Sequence, residues 1–263
     1  MATTTTVTRG RSSAIKATER SLSPVAWRLG RVAKLIDETG HAKSIVLEVP
    51  GWPGHIAGQH VDVRLTAEDG YQTERSYSIA SAPEESTVEL TVERIDDGEV
   101  SPYLTEELRV DDELELRGPF GGYFNWRETD GGPLLLIAGG SGVVPLMAML
   151  RHRAATSSTV DARLLLSART LEDVLYQNEL GHLATGDGLA VHYTFTRYPP
   201  AGWDGFDRRI DAEMLATVGP APARRPRIFI CGPTAFVERA ANLLVTLGHP
   251  PGAIRTERFG PTA

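Results

Sequence analysis

The sequence predicts two domains of different class, an antiparallel six-stranded β-barrel followed by a doubly wound parallel α/β domain. The first observation is a period-two alternation of apolar and polar residues that recurs up to about residue 126. The second is a change after Asp130-Gly131-Gly132, where apolar runs begin to alternate with helical stretches. We therefore expect a disordered tail over residues 1–23, a barrel domain over 24–130 and an α/β domain over 131–263.

The barrel is predicted from short strands separated by turn signals. Strand-like alternation is clearest over residues 44–49, 61–65 and 88–93. The intervening stretches are rich in Gly, Pro and Asp, at residues 50–54, 68–70, 96–98 and 118–122. Several short strands at this spacing indicate a small closed barrel, which leaves no exposed sheet edge.

The second domain begins with the continuous apolar run 133–138, typical of a buried parallel strand. Further strands are expected at 162–168, 189–196, 227–231 and 253–259. Helices are expected at 144–153, 171–183, 211–218 and 234–247. This alternation predicts βαβ units in a doubly wound sheet.

Composition excludes several classes of function. The chain of 263 residues has a formal net charge of −7, which offers no basic footprint for nucleic acid. Cys231 is the only cysteine, so one chain cannot form a disulfide or a four-cysteine iron–sulfur cluster. No apolar run approaches the roughly 20 residues needed to span a bilayer. We expect a cytoplasmic monomer.

The first 20 residues are rich in Thr, Ser and Arg and contain no acid before Glu19. This composition occurs in organelle transit peptides and in plain disordered tails. The lack of a clear amphipathic pattern favours the tail.

Arg75-Ser76-Tyr77-Ser78 combines a cation, an aromatic ring and two hydroxyls in four residues. On an extended strand Arg75 and Tyr77 share one face, and the two serines share the other. A guanidinium can hold a diphosphate by two hydrogen bonds, and a tyrosine ring can cover a flavin. The segment therefore fits a flavin site, although an ordinary strand with one exposed arginine fits the same residues.

A glycine-rich turn follows the first parallel strand of the second domain. It reads Gly139-Gly140-Ser141-Gly142-Val143-Val144-Pro145 and precedes a predicted helix. Glycines in this position let the backbone approach a diphosphate at the positive end of the helix. Pro145 replaces the third glycine of the usual dinucleotide fingerprint and suits a first helical turn. This context favours nucleotide binding over a purely structural turn.

The ends of the next two strands favour NADPH over NADH. An NAD site usually has an acid at the end of the second strand, whereas this chain has Ser167 and Arg169 there. Arg197 ends the following strand. Two arginines at neighbouring strand ends can bind a 2′-phosphate, or they can be solvated surface side chains.

Two further segments lie at the carboxyl edge of the predicted sheet, where such folds bind ligands. Cys231-Gly232-Pro233 ends a strand and opens a helix. A buried cysteine is usually a small apolar residue, but this position favours a site residue. Glu257-Arg258-Phe259 belongs to the last predicted strand, which either covers the flavin or simply packs as a final strand.

Taken together, these motifs resemble the ferredoxin–NADP⁺ reductase superfamily over about residues 25–260. The matching segments, in the order found in the family, are Arg75-x-Tyr77-Ser78, Gly98-Glu99-Val100-Ser101, Gly118-Pro119-Phe120-Gly121, Gly140-x-Gly142-x-x-Pro145, Cys231-Gly232-Pro233 and Glu257-x-Phe259. The cysteine-rich ferredoxin module of fused monooxygenase reductases has no counterpart in this sequence.

The resemblance implies FAD and a nicotinamide dinucleotide as cofactors. It implies that Arg75 and Ser101 hold the flavin phosphates, that Tyr77 lies against the flavin, and that Ser78 sits near its reactive nitrogen. It assigns catalytic roles to Ser78, Cys231 and Glu257. Further cofactor-binding positions expected in the barrel domain and at the last strand are Ser76, Gly98, Val100, Gly118 and Phe259. Those expected in the second domain are Gly139, Gly140, Ser141, Gly142, Val143, Pro145, Ser167, Arg169, Arg197, Cys231, Gly232 and Pro233.

The expected activity is transfer of electrons from NADPH through FAD to a separate acceptor, such as ferredoxin, flavodoxin or an oxygenase component. NADH is the alternative donor. Alternative functions are a reductase that acts on free flavin, and a non-catalytic flavin-binding subunit or redox sensor. His60 stands where relatives often carry an aromatic or apolar residue, and the sequence assigns it no role.

Overall fold

A computed structural model describes residues 25–186 and 188–260 of the chain, so the predicted tail lies outside the described residues. The first domain is one antiparallel sheet with strand order β4-β3-β6-β1-β2-β5. Its strands are β1 (Trp27–Thr39), β2 (Ala42–Glu48), β3 (His60–Thr66), β4 (Gln72–Ser78), β5 (Val88–Glu93) and β6 (Glu113–Phe120).

The sheet curls until its two outer strands meet. An antiparallel bridge joins Ile79, just after β4, to Leu90 of β5, and the Ala80 N–H donates to the Glu89 carbonyl at 2.8 Å. Side chains from alternate positions fill the interior, including Ile45, Leu47, Val61, Val63, Leu90, Val92, Leu114 and Leu116. The period-two pattern therefore reflects burial inside a closed barrel, as the sequence predicts.

The second domain is a five-stranded parallel sheet of order β11-β10-β7-β8-β9. Its strands are β7 (Leu134–Gly139), β8 (Ala162–Thr170), β9 (Leu189–Tyr198), β10 (Arg227–Pro233) and β11 (Ile254–Phe259). Its helices are α1 (Val143–Ala155), α2 (Gln177–Leu183), α3 (Ala212–Val218) and α4 (Thr234–Thr246). The strand order reverses between β7 and β10, and ligands of such folds bind in the crevice at this switch point.

Successive residues of the central strand β7 enter different hydrophobic cores. Leu134 and Leu136 pack with α1, whereas Leu135 and Ile137 pack with α3 and α4 on the opposite face. Helices thus cover both faces of the sheet, and the predicted fold class is confirmed. No helix within the described residues has the length and apolar character required to cross a membrane.

The core on the α1 side is shared between the two domains. Phe124 and Trp126, which follow the barrel, are buried in it, and the Phe124 ring meets Phe229 of β10 edge-to-face at 5.4 Å. The barrel is thereby packed against the α/β domain with the β7–β10 crevice facing β4.

One predicted helix is shorter than expected. The pattern predicts a helix over residues 171–183, but the structure has a 3₁₀ turn at Leu171–Asp173 and begins α2 only at Gln177. Tyr176 interrupts the helix with a left-handed backbone, at φ 56°. This break turns the buried Tyr176 ring towards β5, so a contact with the other domain overrides local helix preference.

Candidate active site

Two adjoining cavities occupy the cleft between the domains. The larger has a volume of about 700 Å³ and lies against β4, β5 and the loop 94–101. The smaller, of about 280 Å³, lies at the carboxyl ends of β7 and β8. Five residues line both cavities, namely His41, Glu93, Ser141, Arg169 and Phe259. The two cavities therefore adjoin along these five residues.

The larger cavity contains the segment from Arg75 to Ser78 in its wall. The side chain of Arg75 is 54% exposed, and its only ion pair among the described residues is a contact of 3.5 Å with Glu99. Its guanidinium thus remains accessible to an anionic ligand. The Tyr77 ring packs on the barrel core, and burial raises the pKa of its hydroxyl to about 12, so this side chain stays neutral.

The loop 94–101 folds tightly under the same cavity. The Ser101 hydroxyl accepts a hydrogen bond from the Ile95 N–H at 3.0 Å. A Cβ atom at Gly98 would lie 3.0 Å from both the Ser101 hydroxyl and the Ile95 carbonyl, so any larger residue would crowd this turn. Gly98, Val100 and Ser101 all line the cavity, and their predicted contact with a cofactor stays a prediction.

Two predicted flavin residues have other contacts. Ser76 lines the larger cavity, but its hydroxyl donates to Asp62 at 2.7 Å across the β3–β4 pair. Gly118 lines neither cavity and packs closely against Val61 of β3. A role for either residue in cofactor binding stays a prediction.

The smaller cavity is lined by Gly139, Gly140, Ser141, Ser167, Arg169, Pro233 and Phe259 from the predicted set. Gly142, Val143 and Pro145 line neither cavity and lie at or just before the start of α1, whereas Val144 lines the larger cavity. A Cβ atom at Gly142 would come within 2.2 Å of the Cys231 carbonyl. Glycine at this position therefore lets the turn before α1 approach the end of β10 at the switch point.

Arg169 and Arg197 are both exposed near the smaller cavity. Arg169 lines the cavity directly. Arg197 lies beside it at the end of β9, where the β8–β9 register slips between Ala168 and Thr170. Neither guanidinium forms a hydrogen bond or ion pair with any residue in the described ranges. Two uncompensated cations therefore stand at the same edge of the sheet.

The predicted catalytic residues belong to two strand pairs, and of the three only Ser78 lines one of the two cavities. Ser78 of β4 pairs with His60 of β3, and Cys231 of β10 pairs with Glu257 of β11. The His60 Nδ1 atom lies 3.9 Å from a Glu257 carboxylate oxygen and links the two pairs across the domain boundary. The structure thus adds His60, which the sequence could not assign, to the neighbourhood of Ser78, Cys231 and Glu257.

Burial shifts the pKa values of His60, Cys231 and Glu257. It raises the pKa of Glu257 to about 7, and the second carboxylate oxygen has no hydrogen-bond partner among the described residues. It also lowers the pKa of His60. Burial, together with the nearby Glu257 charge, raises the pKa of the Cys231 thiol. Near neutral pH the Glu257 carboxyl is therefore the group in this cluster that gains or loses a proton, while Cys231 stays a thiol.

Three further polar residues lie in the cleft without any signal in the sequence. The His41 Nε2 atom lies 3.7 Å from a carboxylate oxygen of Glu93 and 3.7 Å from one of Asp173. These residues come from the β1–β2 turn, the end of β5 and the 3₁₀ turn after β8, and no motif connects them. Asp173 also accepts hydrogen bonds from both the backbone and the hydroxyl of Thr170, each at 3.0 Å.

The residues present fit a flavin nucleotide and a nicotinamide dinucleotide. The larger cavity combines an accessible guanidinium, a neutral aromatic ring and hydroxyls in a volume typical of cofactor sites. The smaller cavity combines the glycine turn at the start of α1 with exposed cations, a donor set suited to phosphates.

Comparisons with known proteins agree with this division. A family model for an oxidoreductase FAD-binding domain matches residues 36–125, and one for an oxidoreductase NAD-binding domain matches residues 136–242. The chain is 32% identical over 253 residues to the glycine betaine monooxygenase reductase subunit of Pseudomonas aeruginosa, covering 92% of this chain and 68% of that protein.

Two solved structures show the same fold. The flavohem-like FAD/NAD-binding domain of nitric oxide dioxygenase from Vibrio cholerae has a TM-score of 0.79 at 23% identity, covering 89% of this chain and 99% of that one. A ferredoxin NADP⁺ reductase from Neisseria gonorrhoeae, with bound FAD and NADP, has a TM-score of 0.76 at 21% identity, covering 88% and 98%.

Proposed function

Because the chain belongs to the family of FAD- and NAD-binding oxidoreductases related to ferredoxin–NADP⁺ reductase, we propose that it passes electrons from NADPH through bound FAD to a separate acceptor. The observation that carries this proposal is the common wall of the two cavities, formed by residues of both domains such as Glu93 and Ser141. A nicotinamide in the smaller cavity and a flavin in the larger one would lie next to each other at these shared residues.

When bound, FAD would accept two electrons as hydride from the nicotinamide and release them singly to an acceptor. The side chains of this protein supply binding and orientation. Arg75 and Ser101 would hold the flavin phosphates, and Tyr77 would cover the flavin. Phe259 lines both cavities and would limit access of water to their junction.

Glu257 would hold and release the proton that accompanies electron transfer at this junction. Its pKa of about 7 suits exchange at neutral pH, and His60 lies 3.9 Å away on the barrel side. Ser78, paired with His60 in the sheet, would offer a hydroxyl to the flavin. Cys231, buried as a thiol, would pack close to the nicotinamide without being ionised.

Two exposed arginines support NADPH, rather than NADH, as the electron donor. Arg169 and Arg197 have no protein partner among the described residues, and Ser167 lines the cavity beside Arg169. A 2′-phosphate would satisfy both cations. Asp173 is the acid that could instead bind ribose hydroxyls, but its carboxylate is already engaged by Thr170.

For the acceptor we propose an oxygenase component, since the relative from Pseudomonas aeruginosa is the reductase subunit of a monooxygenase. A small redox protein such as ferredoxin or flavodoxin is the other expected kind of acceptor. We propose, as the sequence leads us to expect, that the protein is a cytoplasmic monomer.

Anaerobic titration of the purified holoprotein with NADPH, and separately with NADH, tests the proposal. We expect NADPH to bleach the bound flavin, and ferredoxin, flavodoxin or an oxygenase component to restore its colour. Turnover with free riboflavin alone would instead identify a free-flavin reductase. A flavin that neither nucleotide bleaches would indicate a non-catalytic subunit, and protein that stays colourless after reconstitution with FAD would refute the flavin site.

A further inference from the structure

The polar face of β5 is buried although strand patterning suggests that it faces solvent. Glu89 and Thr91 point away from the barrel interior, and both are less than a tenth exposed. The segment before α2 covers them, because the left-handed backbone of Tyr176 directs its ring into this surface. Non-glycine residues seldom adopt this conformation unless their surroundings hold them in it.

Tyr176 is held by a closed ring of hydrogen bonds. Its hydroxyl donates to Thr91, which lies 2.7 Å from the hydroxyl of Ser44. Ser44 donates to one carboxylate oxygen of Glu38 at 2.8 Å, and the other oxygen accepts the Tyr176 N–H at 3.2 Å. Every donor in this ring has an acceptor, so the orientation of the whole Tyr176 residue is defined by the barrel.

A second connection lies beside the first. Arg151, on the helix that follows the glycine turn, donates to Glu89 at 2.7 Å and to the Ala80 carbonyl at 3.1 Å. It also forms a two-pronged pair with Glu179 of α2, and its guanidinium lies 5.2 Å from the Tyr176 ring centre. Both α1 and α2 are therefore fastened to β5.

This attachment reaches the wall of the candidate flavin cavity. Thr91, the acceptor of the Tyr176 hydroxyl, is itself a lining residue of the larger cavity. Its strand ends at Glu93, which lines both cavities. One hydroxyl-to-hydroxyl contact thus joins the nucleotide-binding domain directly to the surface against which a flavin would lie.

We propose that Tyr176 is a positioning residue for hydride transfer, acting through its hydrogen bond to Thr91 to set the distance between the nicotinamide and the flavin. The inference rests on the proposed function. Hydride transfer depends steeply on the separation of the reacting atoms, whereas the residues predicted to bind the phosphates of each cofactor lie within one domain. A small rotation of one domain should therefore lower the rate of transfer without weakening either binding step.

The test removes the hydroxyl group of Tyr176 or Thr91 while nearly preserving the volume of the side chain. Tyr176→Phe retains the ring and removes the donor, Thr91→Val removes the acceptor, and Thr91→Ser keeps it. Tyr193→Phe is the matched control, since the half-buried Tyr193 ring stacks on Phe195 and its hydroxyl has no hydrogen bond with a described residue. Anaerobic stopped flow with saturating NADPH, using both protio and 4-deuterated nucleotide, measures the rate constant of flavin reduction.

We expect Tyr176→Phe and Thr91→Val each to lower the reduction rate roughly tenfold, with unchanged KM and a retained isotope effect. Tyr176 lines neither cavity, so Tyr176→Phe should also leave flavin affinity unchanged. The double variant should be no slower than either single variant, and Thr91→Ser should restore most of the rate. In protein without nucleotide, hydrogen–deuterium exchange should speed up at the Tyr176 amide in Tyr176→Phe and stay unchanged in Tyr193→Phe.

Wild-type rates in Tyr176→Phe, or a Thr91→Ser variant as slow as Thr91→Val, would overturn the positioning role while the proposed function stands. Loss of rate in proportion to loss of flavin affinity would overturn it too, because that pattern belongs to a cofactor contact. A wild-type flavin that NADPH and NADH both fail to reduce would overturn the proposed function itself.

Discussion

The two domains meet along two seams that differ in how fully the protein satisfies its own polar groups. In the closed seam, formed by the polar face of β5 with Arg151 and Tyr176, each charged or hydroxyl group has a partner within the protein. In the open seam, formed by the two cavities and the His60–Glu257 contact, charges stand alone or at long distance.

The buried side-chain nitrogen and oxygen atoms that lack a hydrogen-bond partner also distinguish the two seams. Among the described residues, the buried side-chain atoms without a hydrogen-bond partner are Arg117 Nε, Thr234 Oγ1, His249 Nδ1 and Glu257 Oε2. Thr234 and Glu257 lie where β10 and β11 reach the cleft, and no atom of the closed seam is among the four. The closed seam is thus suited to holding the domains together, and the open seam to binding ligands and moving protons.

The largest expected effect comes from breaking the closed seam. Arg151→Met should lower the free energy of unfolding by about 3–5 kcal/mol, because it leaves Glu89 buried without its cation. Urea denaturation measures this change. The control is Arg31→Met, which removes exposed pairs with Glu48 and Asp111 and should leave the free energy of unfolding nearly unchanged. Equal losses in the two variants would contradict the distinction between the seams.

In the open seam the main effect should fall on ligand binding. Arg75→Ala should weaken flavin binding by about 1.5–3 kcal/mol, through loss of charged hydrogen bonds to phosphate. Its free energy of unfolding should change by no more than about 0.5 kcal/mol, since the side chain is 54% exposed. Quenching of flavin fluorescence measures the affinity. Arg64→Ala, outside both cavities, should retain normal affinity, and a normal affinity in Arg75→Ala would show that Arg75 is misassigned.

Glu257→Gln should change the pH dependence of stability. Below the ordinary pKa of 4.5 the carboxyl is protonated in both folded and unfolded states. Between 4.5 and about 7 only the folded state holds the proton, so wild-type stability falls as the pH rises through this window. Glutamine does not titrate, and the variant should gain about 2–3 kcal/mol relative to wild type from pH 4.5 to 8, since each pKa unit corresponds to about 1.4 kcal/mol.

Denaturation at a series of pH values measures that difference. Glu238→Gln, on the exposed side of α4 in a pair with Arg258, serves as its control and should run parallel to wild type. A parallel curve for Glu257→Gln as well would mean that the folded protein does not raise the pKa of Glu257.

The smallest effect should separate the two nicotinamides. Replacing Arg169 and Arg197 together by Ala should raise the KM for NADPH at least about fivefold, roughly 1 kcal/mol, and leave the KM for NADH nearly unchanged. Steady-state kinetics with both donors and a common acceptor measure the ratio. Equal changes for the two donors would remove the argument for a 2′-phosphate site.

Local patterns were sufficient to predict much of this molecule. The fold class follows from the alternation around Ile45 and Val63 and from the apolar run of β7, since each pattern reports burial within one element. The motif residues Arg75, Ser101 and Arg169 could be placed at a cleft because strand ends and glycine turns have known positions in these folds.

Patterns failed where a distant segment changed the surroundings of a residue. Residues 171–183 have helical character, yet Tyr176 leaves the helix because Thr91 and Glu38 bind it from the other domain. The alternation of β5 suggests that Glu89 faces solvent, yet Arg151 covers it.

By itself the sequence determined the order of two domain classes, their strand and helix patterns, and the motifs that suggest a flavin and a dinucleotide. Only the tertiary structure placed His60 beside Glu257, His41 between Glu93 and Asp173, and Tyr176 against Thr91. The reason is physical: periodicity records which side of an element is buried, whereas these contacts join residues far apart in the chain and exist only once the barrel and the parallel sheet have packed together.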